Sequence, residues 1–138
     1  MPPLDSPPGL AIFLHSGDYD RVHQGLAIAA SAAAAGRTVD VFLFWWALER
    51  VLQGKLDEPD FGPEREATVH RFEARRLPTL RELFLHLREL GGCRVHACSG
   101  SLAAVADEPG NLGPLVNDVV GWSTILKLTA GITDRFYL

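Results

Sequence analysis

Cys98 is the residue of this sequence best placed to do covalent chemistry. It closes the run Val95-His96-Ala97-Cys98 and is followed by Ser99-Gly100-Ser101, three small residues suited to a turn that opens a helix. Read as a strand, the run puts Val95 and Ala97 on one face and His96 and Cys98 on the other. The main-chain N–H groups of Ser99, Gly100 and Ser101, at the start of a helix, are expected to be free to face an anion. Such surroundings favour the thiolate, the nucleophilic form of cysteine. The pattern suits a reactive sulfur nucleophile or sulfur carrier. It also suits a small buried hydrophobe at a strand end, the commoner fate of a free cysteine.

Other residues bear on the same chemistry. His15 ends the first apolar run; if that strand lies beside the one ending in Cys98, its imidazole can stabilise a thiolate or move a proton. Otherwise it is a strand-end histidine bonded to a loop. Trp45 and Trp122 each follow a strand on the same sheet edge and are expected to line the site, although the Trp45-Trp46 pair equally suits core or subunit packing. Asp18 or Asp20 is expected to cap the first helix, Arg21 to lie at the surface, and His96 to be wedged under a helix. Cys93 stands five positions before Cys98, so along one strand the two Cα atoms lie about 16 Å apart, beyond the ~7 Å that a disulfide allows.

Competing chemistries find less support. Ser16-Gly17-Asp18-Tyr19-Asp20 matches neither of the glycine-rich turns that cradle nucleotides. His15, His96 and Cys98 lack the spacing of metal ligands, so no metal is expected. Cys93 sits at the wrong end of its strand to act as a resolving thiol. The remaining rival is a binding or scaffold module in which Cys98 only packs and the tryptophans and a charged segment meet a partner.

The elements that would position these residues alternate between strand and helix. Leu10–His15 is an unbroken apolar run, as expected of a strand buried on both faces. Alanine-rich 22–35 predicts a helix closed by Gly36, and 38–44 a second strand, which makes a βαβ unit and hence a parallel sheet. A short helix is expected over 45–52. Segment 53–78 reads as a charged insertion, with a polar loop and a mixed-charge surface helix over 64–76, suited to a solvated face, a lid or an oligomer contact. Thr79-Leu80-Arg81-Glu82 fits a capping box, and Leu80, Leu83, Phe84, Leu87 and Leu90 then fall on one helical stripe. Strand 93–98, helix 102–106, a strand around 118–120, a helix from Gly121-Trp122-Ser123-Thr124 through Thr129 and a last strand over 135–138 complete the pattern. The predicted fold is a three-layer α/β/α sandwich, doubly wound, on a mainly parallel sheet of about five strands.

Length and composition agree with that. The 138 residues suit one domain, over 10–138, after a proline-rich flexible leader at 1–9. Apolar residues are 47% and charged residues 22% of the chain, and the net charge of -4, with no basic run, argues against nucleic acid as a partner. The longest apolar tract, 41–48, is too short for a membrane span, and the leader lacks the pattern of a signal peptide. Two unpaired thiols suit a reducing, cytoplasmic setting.

Three features together carry a resemblance: the β-α-β opening, the strand ending Val95-His96-Ala97-Cys98-Ser99-Gly100-Ser101, and the Gly121-Trp122-Ser123-Thr124 helix before a terminal strand. In these the chain resembles the DsrE/DsrF family of small sulfur-relay proteins over about 10–138, apart from 53–78. The resemblance implies a persulfide carried on Cys98 with no cofactor beyond the bound sulfur. It also implies sulfur donor and acceptor proteins as partners, and a homo-oligomer, a trimer or hexamer, with its cysteines in clefts near subunit boundaries.

Overall fold

The computed structural model describes residues 7–138. Five strands, β1 (Leu10–Leu14), β2 (Val39–Leu43), β3 (Cys93–Cys98), β4 (Asp118–Val120) and β5 (Asp134–Tyr137), form one sheet in the order β4-β3-β2-β1-β5. Every neighbouring pair is parallel. Six helices connect them: α1 (Tyr19–Ala34), α2 (Trp45–Leu52), α3 (Glu66–Ala74), α4 (Leu80–Leu90), α5 (Ser99–Val105) and α6 (Trp122–Leu128). The result is a three-layer α/β/α sandwich on a five-stranded parallel sheet. No helix among the described residues is long and apolar enough to cross a membrane.

The chain steps from β1 to β4 in one direction, with the helices of those crossovers on one face, where Val22, Leu48, Phe72, Phe84 and Leu102 join the larger core. It then returns across three strands to β5. A right-handed crossover that reverses direction must pass over the other face. Accordingly α6 packs there through Ile125 against Phe13, Phe42, Cys98 and Val120. Five helices thus cover one face and a single seven-residue helix the other.

On that thinly covered face, one cross-strand row spans all five strands. Tyr137 pairs with Phe13, Phe13 with Phe42, Phe42 with His96 and His96 with Asp118. The first four rings stack at centroid separations of 4.7, 5.2 and 4.8 Å, all within 19° of parallel. The spacing is that of the strands themselves, so an in-register parallel sheet lays the rings out as a ladder.

Several boundaries move from their predicted places. α1 begins at Tyr19 rather than Val22, because Tyr19 is buried and its hydroxyl bonds the loop, accepting from Leu80 N at 3.2 Å and donating to Leu56 O at 3.4 Å. Asp20, within the first turn, accepts from Arg21 N through Oδ1 at 3.1 Å, whereas Asp18, at the N-cap position, makes no side-chain capping bond. Instead, Ser16 Oγ accepts from Asp18 N. The capping box of α4 forms in both directions, and Leu80, Leu83, Phe84 and Leu87 are buried. α5 starts at Ser99, three residues early, because Cys98 itself takes the N-cap position.

Segment 53–78 is tied down from below. Phe72 of α3 is buried, with Tyr19 and Phe61 edge-on to it. Arg50 bonds Gly17 O, Lys55 O and both carboxylate oxygens of Asp60. Of the expected flexible leader at 1–9, residues 1–6 lie outside the described residues; Pro8 and Gly9 are held by the Arg37 guanidinium at the root of β1.

Candidate functional site

In a doubly wound sheet the ligand crevice forms where adjacent strands send their chains to opposite faces. Here those strands are β3, which leaves to α5, and β4, which leaves to α6. Cys98 ends the first and Val120 the second, in register. Beyond them the chains part as Ser99 and Gly121, which stay so close that a Cβ on Gly121 would lie 3.5 Å from Ser99 Oγ.

A cavity of about 800 Å³ opens at this edge of the sheet. Cys98, His15, Ser99, Gly100, Ser101, Trp45 and Trp122, the seven residues picked out in the sequence, all contribute to its wall. No residue of 53–78 does, so that segment is no lid over it. Cys98 is 5% exposed, and its side chain packs in the smaller core with Ala11, Phe13, Phe42, Phe44, Val120 and Ile125.

His15 departs from the arrangement anticipated for it. β2 separates β1 from β3, so the backbones carrying His15 and Cys98 are two strand spacings apart, about 10 Å. No hydrogen bond joins the two side chains among the described residues; His15 is exposed at the rim, with its main chain bonded to Leu138 O and Ala47 N. Ser99, Gly100 and Ser101 form the first turn of α5, where their N–H groups have no partner inside the helix. With seven residues, α5 has little dipole to offer an anion, so permanent positive charge at the cavity comes from Arg21.

Trp45 reaches the wall through a strained backbone. Its φ of +38° lies in the left-handed region, where a bulky side chain is an outlier. The turn is pinned on both sides: Phe44 N donates to Leu14 O at 2.8 Å, and Ala47 N donates to His15 O at 3.2 Å. Gly17 completes it, since a Cβ there would stand 2.8 Å from Trp46 O.

Sequence reasoning missed the aromatic lining. Phe13, Phe44 and Tyr137 share the cavity with Trp45 and Trp122. Trp122 stacks on Phe44 at 5.3 Å and Phe44 on Phe13 at 6.2 Å, which continues the ladder to the cavity mouth. The available signal was the two-residue spacing of Phe42 and Phe44, which one face of a strand imposes. Arg21, expected at the surface, is exposed and also lines the cavity.

Two titratable groups lie on β3 away from the cavity. His96 is 1% exposed; Nδ1 meets Asp118 at 2.5 Å and Nε2 meets Asp40 at 2.8 Å, so carboxylates hold it, rather than a helix alone. Burial pulls its pKa down, but the hydrogen bonds and charge of Asp40 and Asp118 more than reverse this, and the net shift is upward. Cys93 is half-buried and free, as Cys98 is. Burial, helped by the nearby Asp40 charge, pushes its thiol up to about 11.

No protein-family model matches the chain, and no curated protein matches it.

Proposed function

We propose that the chain is a thiol-based sulfur carrier in which Cys98 accepts a sulfur atom as a persulfide and passes it to a partner thiol. The observation that carries this reading is the position of Cys98: a free cysteine in the wall of an 800 Å³ cavity, at the strand end where the sheet changes face. The other thiol, Cys93, lies at the opposite end of β3, with its pKa pushed up to about 11, and is a poor nucleophile near neutrality. The resemblance of the β3–α5 junction and the closing helix to the DsrE/DsrF family supports the same chemistry.

The exchange conserves electrons. The Cys98 thiolate attacks the outer sulfur of a donor persulfide, the donor's S–S bond breaks, and the donor leaves as a thiolate. Cys98 then carries the S–SH group. An acceptor thiolate attacks that outer sulfur in turn, and Cys98 leaves as a thiolate. The thiol proton exchanges with solvent at the cavity, because His15, two strand spacings away, makes no hydrogen bond to Cys98 among the described residues.

On this reading the protein works in the cytoplasm with donor and acceptor proteins, as a homo-oligomer, a trimer or hexamer. Leu126 and Leu128 stand at 62% and 41% exposure on α6, outside the cavity lining, which supports self-association there. A second reading is a homo-oligomeric binding or scaffold module without catalysis, favoured by the 5% exposure of Cys98 and its apolar packing.

Intact-mass spectrometry after incubation with a small persulfide donor decides between them. The carrier reading expects a gain of one sulfur atom that a thiol reductant reverses and Cys98→Ser abolishes. Unchanged mass in the wild type, or a gain that persists in Cys98→Ser, supports the scaffold.

A further inference from the structure

We infer that the cavity at the end of β3 binds a flat aromatic molecule bearing a single anionic group, such as an aryl carboxylate. The inference rests on the reading that this cavity is the working site, and it does not need the sulfur chemistry. Three large aromatic side chains at one opening are left substantially in water: Trp45 at 42%, Trp122 at 54% and Tyr137 at 68% exposure. A folded chain rarely leaves that much contiguous apolar surface uncovered unless something covers it.

Shape narrows the occupant. Trp122 and Tyr137 are joined through Phe44 and Phe13 into a run of rings whose planes differ by 11° to 20° between neighbours. Trp122 and Tyr137 end that run, each stacked on one ring among the described residues, so each can offer its second face to another planar π system, where a branched aliphatic ligand finds no comparable match. The volume, about 800 Å³, suits a small molecule, since sites of this kind commonly enclose about 300–1,000 Å³.

Charge narrows it further. The chain carries 17 acidic residues and a net charge of -4, yet no Asp or Glu side chain lines this cavity among the described residues. Arg21 and His15 are its ionisable groups of positive sign. The Arg21 side chain, like those of Arg65, Arg75, Arg76 and Arg88, has no ion pair or hydrogen bond among the described residues, and it is the arginine that lines this cavity. One unpaired guanidinium beside an aromatic surface fits one carboxylate on an aromatic ring, because the guanidinium presents two parallel N–H groups to it.

The test is isothermal titration of the full chain with 2-naphthoate, and with 2-naphthylmethanol as the uncharged counterpart. The expected result is saturable one-to-one binding of 2-naphthoate, at least fivefold tighter than the alcohol. Arg21→Gln should erase that preference while leaving alcohol binding within twofold, and Trp122→Leu should weaken both ligands. The sulfur gain on Cys98 is read separately, by intact mass, so ligand recognition and sulfur chemistry succeed or fail separately. Equal affinity for the two ligands, an unaltered preference in Arg21→Gln, or no saturable binding overturns the inference.

Discussion

At the scale of single residues, close packing sets the site as much as reactive groups do. Gly17 lets the β1–α1 loop lie against Trp46, and that contact holds Trp45 at the cavity wall in its strained conformation. Adding a Cβ at Gly17 forces main chain apart, since the nearest atom is Trp46 O at 2.8 Å. Overpacking of this kind costs about 1–3 kcal/mol, against the ~0.4–1 kcal/mol gained by removing glycine's freedom in the unfolded chain. Gly17→Ala is therefore expected to lower stability by about 1–2 kcal/mol, read as a fall in the urea midpoint at unchanged slope. That the seven residues would come together at one edge of the sheet was legible from residue type and from their places just beyond apolar runs. The aromatic lining was not, because Phe13 and Tyr137 become neighbours only through the pairing of β1 with β5, which no local pattern encodes.

At the scale of elements, β4 is the weakest member of the sheet: three residues at an edge, joined to β3 through His96–Asp118 and Arg94–Asp118 as well as the ladder. His96 also reaches Asp40 on β2, so one imidazolium ties three strands together. Its folded pKa lies above the ordinary 6.5, hence the stability it adds is complete below that value and is lost as pH rises through the folded pKa. Denaturant titrations from pH 6.5 to about 8.5, the pKa of an unperturbed thiol, are expected to show wild-type stability falling. His96→Gln should flatten that slope and lower stability at pH 6.5 by about 2–3 kcal/mol, since Asp40 loses its partner and Asp118 keeps only Arg94. Above that window Cys93 adds a second alkaline loss, its thiol being held at about 11 in the fold. The strand–helix alternation was legible because buried parallel strands and an alanine-rich helix have distinct compositions. Sheet order was not, and the expectation that His15 would neighbour Cys98 failed for that reason: β2 pairs with both β1 and β3 and separates them.

At the scale of the molecule, the return crossover from β4 to β5 creates the site. It carries α6 to the second face, opens the crevice between β3 and β4, and sets β5 beside β1, so Tyr137 faces the same cavity as Cys98. A carrier role requires the Cys98 thiol to be within reach of another molecule in the folded state, despite its 5% exposure. The direct measurement is the rate of iodoacetamide labelling of native protein at pH 7.5, mapped by peptide and compared with the rate of global unfolding. Cys98 is expected to be modified far faster than the chain unfolds, at a rate that rises with pH, while Cys93 is spared. Labelling of Cys98 only at the unfolding rate, together with Cys93, would contradict the carrier role.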